Sequence, residues 1–134
     1  MKIRMILAMA VMAVVTGTAA AHHSFAMFDQ TVQKELVGVV KEVQWTNPHI
    51  WVQVLVKDEK TGQPVEWSIE GGSPNALQRQ GWHRSAIKAG DAIAITIHPL
   101  KDGSSGGSLM KAIVNGQPVG GAGPPPPPAA ASAQ

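Results

Sequence analysis

Four histidines carry most of the chemistry this sequence could do: His22 and His23 side by side near the N-terminus, and His49 and His98 farther along. The pair directly follows a stretch that reads as a secretory signal peptide. If cleavage falls after Ala21, the free amine of His22 and its imidazole nitrogen can chelate one metal ion together. His23 then adds an imidazole and a deprotonatable amide. A further nitrogen from a distant histidine, such as His49 or His98, completes a square-planar set suited to Cu(II). If cleavage falls after Ala20, the new terminus is Ala21-His22-His23. That gives an amine, two amides and the third-position imidazole, which also bind Cu(II) or Ni(II). Copper is the cofactor these residues would take, with His22, His23, His49 and His98 as candidate ligands. The competing reading is that an exposed terminal histidine pair binds copper weakly in solution and has no role in the cell.

A second candidate site lies on the run His49 to Val56. Strict alternation places His49, Trp51 and Gln53 on one face and Ile50, Val52, Val54 and Val56 on the other. An aromatic ring beside polar groups suits a sugar, a peptide or a small planar ligand by stacking. The plainer reading is that Trp51 covers one end of the fold and His49 closes the Asn47-Pro48 turn.

Other combinations carry little. Glu66, Ser68 and Glu70 form the polar face of a strand, and carboxylates at i and i+4 on a strand lie about 13 Å apart, too far for either glycosidase arrangement. They read as a solvated face. Arg79 and Arg84 flank Trp82 without a helix start beside them. His83 reads as a solvated loop residue. The glycine-rich segments lack the lysine of a phosphate-binding loop. There is no cysteine and no serine in a nucleophile elbow, so the sequence points to a non-enzymatic protein.

These side chains need a frame. Strands are expected over 34–45, 49–56, 65–70, 92–98 and 108–114. In the first, Val37, Val39, Val43 and Trp45 share one parity and Leu36, Val40, Glu42 and Gln44 the other, and Gly38 suggests a bulge or bend. Ser73-Pro74 starts a short helix over 75–80, with serine as N-cap and proline in the first turn, and Gly81 stops it. Trp82 and Ile87 should pack on the core, as should Val52, Val54 and Trp67. Asn115-Gly116 is a turn. Three strands, a helix and two strands is the element order of the OB-fold. The expected class is therefore all-β: a small five-stranded OB-like antiparallel barrel with one short helix between strands 3 and 4.

Around that frame, residues 1–21 form the signal peptide: a basic start, an apolar core from Met5 to Val15 too short to span a bilayer, and a small-residue end. Residues 22–33 are an arm whose Phe25 and Phe28 tuck it against the barrel, 34–119 the barrel domain, and 120–134 a Gly/Pro/Ala-rich disordered tail with Pro124 to Pro128 at its centre. Export places the mature chain in the periplasm with no membrane anchor after cleavage. Lys2 and Arg4 account for the whole excess of 11 Lys+Arg over 9 Asp+Glu. The mature chain is thus neutral and has no basic surplus for nucleic acid. The expected partner is a small ligand or an envelope protein.

The segments AHHSFAMFD, WTNPHIWVQV, VEWSIEGGSPNALQRQGW and GDAIAITIHPLKDGSSGGSL together resemble an uncharacterised family of short exported bacterial proteins, a domain of unknown function. The resemblance spans roughly Ala21 to Val114. It implies export and a bacterial source, and it implies no activity.

Overall fold

The computed structural model describes residues 25–120. A short 3-10 turn at Phe25–Met27 leads into the strands β1 (Lys34–Gln44), β2 (Trp51–Lys57) and β3 (Pro64–Glu70). The helix α1 (Pro74–Arg79) follows, then β4 (Ala92–Pro99), β5 (Gly106–Val114) and β6 (Gln117–Val119). The strands pair in the order β3-β2-β1-β4-β5-β6. A parallel pairing of β3 with β5 joins Ser68 to Gly106, Ile69 to Gly107 and Glu70 to Ser108. That pairing closes β1 to β5 into a barrel of OB topology, with β6 appended to β5 as a hairpin.

The core follows from alternation. Ile50, Val52 and Val54 from the β2 run, Ile69 from β3 and Ile95 and Ile97 from β4 are fully buried. Each such side chain contributes about 1.5–3 kcal/mol by leaving water. Leu77 of α1, Trp82 and Ile87 plug the barrel, and Val43, Trp45, Val56 and Trp67 pack against it while half-buried. Ser73 caps α1 by accepting the Ala76 N–H at 3.2 Å. Gly81, at φ +86°, takes the left-handed turn that ends it.

β1 departs from simple alternation. Its register to β2 shifts between Val40 and Glu42, so the bulge sits at Lys41 and not at Gly38. One extra residue inverts the parity. Leu36 and Val40 are buried before it, Val43 and Trp45 turn inward after it, and Val37 and Val39 are exposed. Gly38 serves a different need: a Cβ there would lie 2.2 Å from the Leu55 carbonyl oxygen, so β1 approaches β2 too closely for any side chain. Gly107 has the same role at the seam, where a Cβ would lie 2.5 Å from the His98 carbonyl oxygen.

β6 adds a strand that the five-strand expectation does not contain. Asn115 and Gly116 both have positive φ, the geometry of a two-residue hairpin turn, and Pro118 pairs with Ile113 across it. Of the arm's two phenylalanines only Phe28 is buried; Phe25 is 71% exposed. The arm is nevertheless fastened to the barrel. Phe28 bridges Leu100, the Asp29 N–H donates to the Pro99 carbonyl at 2.8 Å, and the Lys101 N–H to the Met27 carbonyl at 3.0 Å. No helix among the described residues is long and apolar enough to cross a membrane.

Candidate functional site at the barrel seam

The closure of the barrel places polar residues from distant parts of the chain in one row. Ser108 of β5 pairs with Glu70 of β3 on one side and His98 of β4 on the other. His49 stands next to Glu70, with Nε2 3.5 Å from the Glu70 carboxylate. A cleft of about 400 Å³ opens over this row. Its apolar wall includes Phe28, Leu77, Trp82 and Leu109, and its rim carries Phe25 and Met110 from the arm and β5.

The two histidines share a hydrogen-bonding pattern. Nδ1 of His49 lies 3.0 Å from the Gly71 carbonyl oxygen, and Nδ1 of His98 lies 2.7 Å from the Val32 carbonyl oxygen. A carbonyl only accepts, so both Nδ1 atoms carry the proton. In the neutral rings the lone pair then resides on Nε2. This is the arrangement that fixes a metal-binding imidazole from behind. For His49 the Nε2 atom faces Glu70. For His98 the carbonyl that fixes the ring belongs to the arm itself.

Asp29 adds negative charge beside His98. The Thr31 hydroxyl donates to its carboxylate at 2.6 Å and the Thr31 N–H at 3.0 Å. These bonds, together with the charge of Lys101, hold its pKa below the ordinary 3.8. The group is anionic at neutral pH.

The candidate residues fall into three groups. His49 and His98 line the same cleft. Trp51 and Gln53 do share the outer face of β2 with His49, but they do not line the cleft. Gln53 donates to the Ser68 hydroxyl at 3.1 Å, and Trp51 pairs with Glu70 across the ladder. His22 and His23 lie outside the described residues. Among the described residues no three His, Cys, Asp or Glu side chains form a metal cluster, so His49, Glu70 and His98 do not make a site by themselves. The residue that sequence reasoning missed is Glu70, which is only 7% exposed and not solvated. Alternation does place it outward; the pairing with Ser108 at the seam and the His49 ring beside it are what the strand's own pattern does not report.

No curated protein matches the chain. Among solved structures, a crystal structure of a mitochondrial single-stranded DNA binding protein from S. cerevisiae is similar at a TM-score of 0.49 and 8% identity, covering 63% of this chain and 93% of that one. A model of a family of unknown function (DUF6152) matches residues 10–110, well over half the sequence. The segments that carry the resemblance in the sequence lie largely within that span, and the chain belongs to this family of unknown function.

Proposed function

We propose that this is an exported, non-enzymatic binding protein of the periplasm that handles Cu(II) at its processed N-terminus, with His98 completing the site. The observation that carries this reading is the tether between arm and ring. The Val32 carbonyl of the arm fixes the His98 imidazole, and Phe25 at the start of the described arm lines the same cleft as His98. His23 precedes Phe25 by two residues, so at most about 7 Å of extended chain separates them. With His22 as the first residue, its amine and imidazole are within covalent reach of the cleft that His98 lines, and Nε2 of His98 holds a lone pair. The donor set is all nitrogen, which suits Cu(II).

Titrating the exported protein with Cu(II) beside a version extended by one N-terminal residue tests this. Extension removes the amine from the chelate and should weaken binding at least tenfold. Equal affinity would refute the proposal. Mass spectrometry of the exported protein fixes which residue is first.

A second reading, from another class, is a module for a small ligand, glycan or peptide. His49 and Glu70 support it in part, since they are the convergent polar groups of a cleft with apolar walls. Trp51 lies beside that cleft, so stacking on Trp51 would need a ligand reaching over Glu70. Chemical-shift mapping with envelope sugars and peptides tests it; shifts confined to residues away from both His49 and Trp51 would end it.

A further inference from the structure

The barrel carries an apolar face that the described residues leave exposed. Val37, Val39 and Ile113 are 64%, 46% and 44% exposed, all pointing outward. They are not scattered. Val37 pairs with Ala94, Ala94 with Ile113 and Ile113 with Pro118, giving one apolar row across β1, β4, β5 and β6. The adjacent row runs from Leu55 through Val39 to Ala92. The exposed Val37, Val39 and Ile113 thus stand together with smaller apolar residues between them, as the residues of an interaction surface do.

The row on the other side of Val37 shows what fits it. Glu35 pairs with Thr96 and Thr96 with Lys111, so around a buried Thr96 this row exposes an acidic group at its β1 end and a basic one at its β5 end. We infer that the occupant is a second copy of this chain, packed face to face about a twofold axis running along β4. Such an axis sets β1 of one copy over β5 of the other within the same row. Val37 then lies on the partner's Ile113, Ala94 on its own counterpart, and Glu35 opposite the partner's Lys111. The reciprocal contacts follow from the symmetry, as an isologous interface requires. The charge order along the Glu35 row makes the face self-complementary in this orientation.

Sedimentation of the mature protein over a range of concentrations tests the inference. A reversible monomer–dimer equilibrium is expected, weakened by salt. Val37→Lys should weaken it at least tenfold by burying a charge on the apolar row. The exposed pair supplies a sharper arm that does not depend on core folding. Glu35→Lys alone and Lys111→Glu alone should each weaken the dimer about tenfold through like charges, and the double exchange in one chain should restore it. A protein that stays monomeric at every concentration overturns the inference, as does a dimer indifferent to Val37→Lys or a double exchange without rescue. If the full chain is monomeric and a version ending at Gly120 dimerises, the tail is the occupant and the second copy is not.

Discussion

Four aspartates, Asp29, Asp58, Asp91 and Asp102, each fasten a turn by accepting hydrogen bonds from groups close by in the fold. The pKa of each is lowered from 3.8. The largest causes are the Thr31 hydroxyl for Asp29, the Thr61 N–H for Asp58, the Asn115 amide for Asp91 and the Ser104 hydroxyl for Asp102. A carboxyl that is more acidic folded than unfolded stabilises the fold fully above 3.8, and the contribution disappears as pH falls through the folded value. Thermal midpoints should therefore hold steady from neutrality to about pH 5 and decline below 3.8. Asp91→Asn should melt lower than the wild type at neutral pH, and the two curves should converge in acid. His49 is a different case. Its Nδ1–H satisfies the carbonyl of buried Gly71, so His49→Ala should cost about 1–3 kcal/mol in urea denaturation by leaving that carbonyl unpaired. That environment was not legible from sequence. Alternation along β3 puts Glu70 outward with Glu66, and nothing local reports that the seam with β5 takes in one and not the other.

At the scale of elements, legibility followed periodicity. The β2 run has no irregularity, and its inward set of Ile50, Val52 and Val54 is the buried set. The helix announces itself through Ser73, Pro74 and Gly81, whose roles are local chemistry; Ser73→Ala should cost about 1 kcal/mol, read from the denaturation midpoint. β1 was harder because a bulge is a property of the pairing and not of one strand. Gly38 drew attention as the irregular residue, yet the extra residue is Lys41. Gly38 is kept small by the Leu55 carbonyl, so Gly38→Ala should destabilise by about 1–3 kcal/mol through forced movement of β1 from β2. β6 escaped because three residues including a proline carry no period. Only the Asn115-Gly116 turn before it was visible.

For the whole molecule, closure of the barrel is what turns separate residues into a site. His49, Glu70, Ser108 and His98 come from four segments and meet only because β3 pairs in parallel with β5. The individual histidines could be picked out by type, but their grouping in one cleft depends on that long-range pairing. The same closure leaves the Val37–Ile113 face outward on the opposite logic, with apolar residues where a solitary barrel would place polar ones. The central claim is that His98, fixed by the arm, joins the processed N-terminus around Cu(II). Pulsed electron paramagnetic resonance of the Cu(II)-loaded exported protein, compared with His98→Ala, tests it most directly. The account predicts that the variant loses one coordinated imidazole and binds Cu(II) at least tenfold more weakly; identical spectra and affinities for the two proteins would contradict it.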